Sequence, residues 1–173
     1  MATMQKITPT LWFEQNIEEA VNFYVGVFNN SRIIRTTLYG DEGFEIHHMP
    51  KGEILTMEFE IEGTRFLALN GGPAFKFNEA VSFIVYCYDQ LELDYYWDKL
   101  SEGGDPKARQ CGWLKDKFGL SWQVTPAIVP DMLADEDHAK SERVMRAMMQ
   151  MKKLDFRLLQ EAYRGEATAP LPQ

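Results

Sequence analysis

Cysteine is scarce in this chain: Cys87 and Cys111 are the only two in 173 residues. Two thiols make no disulfide framework, so an apolar core must hold the fold, and both are expected to be reduced in a reducing compartment. Long hydrophobic runs are missing as well. No stretch approaches the roughly 20 apolar residues that a bilayer span requires, and the opening MATMQKITPTLWF lacks the apolar core of a signal peptide. A cytoplasmic location without a membrane partner is the expectation. No lysine/arginine run stands out, and the net charge of −8 repels phosphate backbones, so nucleic acid is not an expected partner.

What is present is an ordinary globular composition, 45% apolar and 25% charged. The length suits one domain, or one domain with an appendage, and can bury a substantial core. ITPTLWF at residues 7–13 reads as a strand, and Pro9 places it at a sheet edge or a bulge. Asn16 with Glu19 three residues on predicts a capped helix start. Ile17, Ala20, Val21, Tyr24 and Phe28 follow as its buried stripe. A strand is expected from about Arg32 to Tyr39, then a polar loop, DEGFEIHHMPKG. ILTMEFEIEG alternates, with Leu55, Met57, Phe59 and Ile61 on one face and Thr56, Glu58 and Glu60 on the other. Glu62-Gly63 turns it into TRFLALN.

Gly71-Gly72-Pro73 then breaks the pattern. These glycines follow a strand, but the proline and the lack of a helix opening behind them do not suit a nucleotide cradle. VSFIVYCY (81–88) reads as a strand. Asp89 precedes a helix with Leu93, Tyr96, Trp97 and Leu100 inward. RQCGWLKD and GLSWQVTP form a hairpin about Lys117-Phe118-Gly119. The order is β-α-β-β-β followed by β-α-β-β or β-α-β-β-β. LWFEQNIEEAVNFY and YCYDQLELDYYWDK align without gaps at an offset of 75 residues, which suggests a duplicated module. Beyond residue 130 the pattern predicts a short helical turn, two amphipathic helices and a frayed tail, APLPQ. The domains expected are 1–129, with modules at about 5–72 and 79–129, and a helical appendage at 130–173.

Three stretches, TLWFEQNIEEAVNFYVGVF, RFLALNGGPAFKFNEAVSF and QCGWLKDKFGLSWQVTP, together resemble the PhnB-like branch of the glyoxalase/bleomycin-resistance/dioxygenase (vicinal oxygen chelate) superfamily. This branch often carries the label 3-demethylubiquinone-9 3-methyltransferase. The resemblance extends to the C-terminal MQMKKLD segment. It implies an α+β fold in which paired βαβββ modules form a curved mixed sheet cup, with C-terminal helices added and a homodimer as the usual assembly. It also implies chemistry at a divalent metal held by His and Glu on the first and last strands of each module, with about three or four N/O ligands and open positions for substrate.

At the positions matching those ligands, this sequence carries Pro9 between Thr8 and Thr10, then Asn70, Ser82 and Gln123. Proline has no ligating side chain, and neutral amides and hydroxyls hold transition metals weakly. No cofactor is therefore expected, and a divalent metal is disfavoured. The residues expected to line a ligand pocket are Thr10, Trp12, Phe66, Asn70, Ser82, Cys111, Trp113 and Gln123. Their amides and hydroxyls either orient a polar group of a ligand or satisfy one another. Trp122 is expected in the core. Cys111 is either a nucleophile or an inert thiol. His47-His48 and the pair Glu58 and Glu60 are either metal ligands and acid/base groups or merely solvated polar residues. The methionine-rich face at Met145, Met148, Met149 and Met151 either grips a partner or packs on its own chain or a dimer mate. Two functions follow: metal-independent binding of a small apolar or aromatic molecule, as bleomycin-resistance members do, or a metal-dependent lyase, isomerase or dioxygenase with a non-standard site.

Overall fold

A computed structural model describes residues 5–166; the APLPQ tail lies outside the described residues. The chain divides into two compact units, Met1–Phe77 and Asn78–Gln173.

The first unit runs β1 (Thr10–Phe13), α1 (Ile17–Val27), β2 (Ser31–Leu38), α2 (Phe44–His47), β3 (Ile54–Ile61) and β4 (Thr64–Asn70). The strands form one sheet in the order β1-β4-β3-β2. β1 is parallel to β4, and the other pairings are antiparallel. Pro9 stands just before the edge strand β1, where its missing N–H breaks no ladder. Alternation along the strands places Leu11, Phe13, Met57, Phe59, Phe66 and Ala68 on one face, all buried. Onto them α1 lays Ile17, Ala20, Val21, Tyr24 and Val27. Phe59 stacks between the rings of Tyr24 and Phe66, with centroids 6.2 and 5.4 Å away. Burial of such a ring stabilises by about 1.5–3 kcal/mol.

The Glu62-Gly63 turn has φ of 46° and 77°, the left-handed pair that matches the twist of a tight hairpin. The polar segment after β2 contains one helical turn, α2, bounded by left-handed Gly43 and His48. At four residues it is too short to show a hydrophobic period, which is why that segment reads as plain loop.

The second unit runs β5 (Ser82–Cys87), α3 (Gln90–Ser101), a 3₁₀ turn (Pro106–Ala108), β6 (Trp113–Lys115), β7 (Ser121–Pro126), α4 (Val129–Leu133), α5 (His138–Met149) and α6 (Phe156–Arg164). Its sheet has three strands in the order β5-β7-β6. β5 is parallel to β7, as β1 is to β4, and β6 is antiparallel to β7. Of the two orders open from sequence, the shorter β-α-β-β is the one formed. The 3₁₀ turn and the residues around it stand where the first unit has β2. Asp89 caps α3 by accepting the amide of Glu92 at 2.8 Å, and Leu93, Tyr96, Trp97 and Leu100 are all buried. Trp122 lies in this core at 3% exposure, and its Nε1 donates to Asp116 at 2.9 Å.

The C-terminal helices belong to this second compact unit. Cys111 N–H donates to the Met151 carbonyl and Gly112 N–H to that of Lys152, each at 2.8 Å. The Gln90 side chain accepts the Phe156 amide at 2.9 Å, and Leu154 is fully buried. No helix among the described residues is long and apolar enough to cross a membrane.

Candidate functional site

Each sheet has one face under its helix and one face turned away from it. Strand alternation decides which side chains reach the latter. In the first unit they are Thr10 and Trp12 of β1, Leu67 and Leu69 of β4, and Thr56, Glu58 and Glu60 of β3. Trp12 Nε1 donates to the Gly72 carbonyl at 2.9 Å, and its ring meets Phe75 edge-on at 4.9 Å. Phe66 and Asn70 have the opposite parity and are buried beneath α1 at 6% and 5% exposure. The Asn70 carbonyl oxygen accepts the Ile17 amide at 3.3 Å, and its Nδ2 donates to the Ile54 carbonyl at 2.9 Å. These two residues therefore do not share a face with Thr10 and Trp12. A sheet has period two, so β1 and β4 deliver alternate residues to opposite sides.

Glu58 and Glu60 stand on the outer face, but neither is an open carboxylate. Arg35 binds Glu58 at 2.7 Å and Arg32 binds Glu60 at 3.2 Å. Arg65 lies between them, 3.6 Å from Glu58 and 3.7 Å from Glu60. Thr37 and Thr56 hydroxyls pair at 2.6 Å next along the sheet. His47 accepts the Met49 amide at Nδ1, 2.9 Å, and its Nε2 lies 3.1 Å from the Glu42 carbonyl. Its ring also packs on Tyr39, whose phenol burial pushes above its ordinary pKa.

In the second unit the outer face carries Ser82, Ile84 and Tyr86 of β5, Ser121 and Gln123 of β7, and Trp113 and Lys115 of β6. Gln123 Nε2 donates to Ser82 Oγ at 2.9 Å. Trp113 stands directly opposite Gln123 in the ladder, and Ile84 neighbours it on the other side. Ile84 and Tyr86 are exposed, at 45% and 47%. Ser121 Oγ is buried with no hydrogen-bond partner. Three of the expected pocket residues, Ser82, Trp113 and Gln123, thus come together on one sheet face.

Cys111 does not join them. It occupies a left-handed turn, φ 53°, ahead of β6, with its sulfur 3.7 Å from that of Met149. Asp116 was not a candidate from sequence. It is 2% exposed and accepts the amides of Phe118 and Leu120 as well as the Trp122 indole, shaping the β6–β7 turn. An aspartate two residues ahead of Phe118-Gly119 is the signal that marks it.

These residues do not fit a divalent metal of the superfamily kind. The matching positions offer amides and hydroxyls already bonded to protein groups. Glu58 and Glu60 are held by guanidinium groups, and Glu79 by the Lys115 ammonium. No set of three or more His, Cys, Asp or Glu side chains among the described residues is placed to hold a metal ion.

The arrangement is that of the glyoxalase-like α+β proteins: a βαβββ unit followed by a second unit of related order. A family model described as 3-demethylubiquinone-9 3-methyltransferase matches residues 5–125, and the chain belongs to this PhnB-like family. It is similar to a putative 3-demethylubiquinone-9 3-methyltransferase, PhnB protein, from Bacillus cereus: 32% identity over 70% of this chain and 98% of that one, with TM-score 0.59. A protein from Pseudomonas aeruginosa shares the fold at 20% identity, 69% and 95% coverage and TM-score 0.51. The family match stops at residue 125, short of the MQMKKLD segment. No curated protein matches.

Proposed function

We propose that this protein binds a small, largely apolar or aromatic molecule, without a metal, on the outer face of its second sheet. The observation that carries the reading is the 2.9 Å hydrogen bond from Gln123 Nε2 to Ser82 Oγ. At two of the positions where relatives would present metal ligands, this chain presents an amide and a hydroxyl bonded to each other. That bond uses one donor of the amide and one lone pair of the hydroxyl. The Gln123 carbonyl oxygen and the Ser82 proton are left to orient a neutral polar group. Ile84, Tyr86 and Trp113 supply the flat apolar surface beside them. Methyl transfer is not part of this reading. Gly71-Gly72 leads from β4 into a connector rather than a helix N-terminus, and the Trp12 ring lies over Gly71.

A homodimer belongs to the same proposal. It is supported by the edge strand β2, where Ile33, Ile34 and Leu38 are all exposed.

Calorimetry with a panel of neutral aromatic amides and phenols tests the binding. Saturable heats are expected to survive exhaustive chelation and to weaken in both Gln123→Ala and Ser82→Ala. Heats that require added divalent metal, or that ignore both substitutions, overturn the proposal. Light scattering reads the dimer, and a monomeric mass at micromolar concentration removes it.

A further inference from the structure

We propose that Cys111, Met149 and Met145 form a surface site for a soft monovalent metal ion, copper(I) or silver(I). The site is separate from the sheet face described above. Cys111 Sγ and Met149 Sδ lie 3.7 Å apart. With a metal–sulfur bond of about 2.3 Å, the zinc–thiolate length taken as a guide, such a pair subtends about 107° at a shared ion. That angle suits trigonal or tetrahedral coordination and leaves room for a third donor. Met145 is one helical turn earlier on α5, on the same side as Met149.

Thioethers are usually buried, yet Met145 is 45% and Met149 59% exposed. Cys111 is partly exposed beside them. A dissolved ion therefore has access to all three sulfurs. The donor pair is also held in place before any ion arrives. Gln110 Nε2 donates to the Met149 carbonyl at 2.8 Å and lies 3.6 Å from Cys111 Sγ. The Cys111 and Gly112 amides bind the carbonyls of Met151 and Lys152. These bonds tie the turn carrying the thiol to the segment that follows the methionines.

Thiolate and thioether donors select soft ions such as copper(I) over hard ones. On binding, the Cys111 S–H proton passes to solvent as the metal–sulfur bond forms, and no change of oxidation state is involved. Both methionines lie beyond residues 5–125, the part matched by the family model.

Anaerobic competition of the full chain against the copper(I)–bicinchoninate complex tests the site, together with silver(I) titration of protein carrying ¹³C-methyl methionine. One equivalent per chain is expected. The methyl resonances of Met145 and Met149 should shift while that of the buried Met132 stays. Cys111→Ser should abolish binding although Cys87 remains, and Met149→Leu and Met145→Leu should each weaken it at least tenfold with an unchanged melting temperature. Wild-type affinity in Cys111→Ser, or in either leucine variant, overturns the three-sulfur site.

Discussion

The side chain of Asn70 accepts the backbone amide of Ile17, the first residue of α1. The Asn16 side chain, which stands at the N-cap, makes no cap hydrogen bond. The last residue of β4 therefore caps the helix that follows β1. Through Nδ2 on Ile54 and the Tyr39 phenol on its backbone carbonyl, 2.5 Å away, the same residue ties in two further segments. Asn70→Ala removes the side-chain partner of the Ile17 amide and of the Ile54 carbonyl. It should destabilise the fold by about 2–4 kcal/mol, one to three for each orphaned group with some relaxation. Urea unfolding reads this directly. An unchanged midpoint would show that the Asn70 side-chain bonds contribute nothing to stability in solution.

The Ser82–Gln123 pair should behave as a coupled unit. Gln123 has intermediate exposure, so each single alanine variant should cost only about 0.5–1.5 kcal/mol. The double variant should cost less than the sum of the two, since residues sharing one bond are non-additive. Strict additivity in a double-mutant cycle would mean that the bond contributes nothing in solution. Gln123→Glu keeps the contact by accepting from the serine hydroxyl. It also introduces an anionic oxygen, so it should raise affinity for a divalent ion in equilibrium dialysis relative to the parent protein.

Much of this was legible in the sequence, and the failures have physical causes. α3 was readable to its inner face because Asp89 and Leu93, Tyr96, Trp97 and Leu100 carry both a cap and a helical period. The alternation of β3 was equally clear. Asn70 and Phe66 went astray because position within a strand does not say which face the fold turns inward. A shift of one residue reverses every side chain. Cys111 stands near Trp113 in sequence, yet the left-handed turn at Cys111-Gly112 swings it off the sheet face. Its neighbour Met149 is 38 residues away, a separation no local pattern reports. The guanidinium groups that hold Glu58 and Glu60 come from β2 and β4, so they appear only once the sheet order is known.

The two thiols should separate cleanly in reactivity. Burial, then the negative charges of Glu92 and Asp89, push the Cys87 thiol up to about 12. Thiolate is the reactive form, so Cys87 should be silent toward a disulfide reagent at about pH 8 in the folded protein. Cys111 is partly exposed and should react. One equivalent is expected under native conditions and two in denaturant, and Cys111→Ser should remove the native one. A second native equivalent would show that the α3–β5 core opens on the timescale of the reaction.

Tyr163 of α6 donates a short hydrogen bond to Asp135, which precedes α5, and Lys140 approaches both. This bond is the main cause that lowers the Asp135 carboxyl and raises the Tyr163 phenol. A lowered acid contributes stability that is present above its ordinary pKa of about 3.9 and is lost as pH falls through the folded value. A raised phenol contributes stability that is present below about 10 and is lost as pH climbs through the folded value. The stability difference between the parent protein and Tyr163→Phe should therefore be flat from about pH 5 to 9 and shrink on both sides. Unfolding midpoints measured across pH read it. A difference that stays constant to either extreme would mean that the bond does not hold α6 in solution.

Two glycines should answer alanine in opposite directions. Gly26 lies within α1, and a Cβ there meets nothing within 4 Å. Gly26→Ala removes backbone freedom from the unfolded chain at no steric cost, and should stabilise by about 0.5–1 kcal/mol. At Gly71 a Cβ would lie 2.2 Å from the Trp12 ring. That ring cannot simply swing aside, because its Nε1 is bound to the Gly72 carbonyl and it packs in a T-shaped contact with Phe75. Gly71→Ala must break that bond or move the connector, at about 1–3 kcal/mol. Trp12 is also expected to become more exposed, so the tryptophan emission of the folded variant should shift to the red. A variant with parental stability and emission would show that Trp12 does not rest on Gly71 in solution.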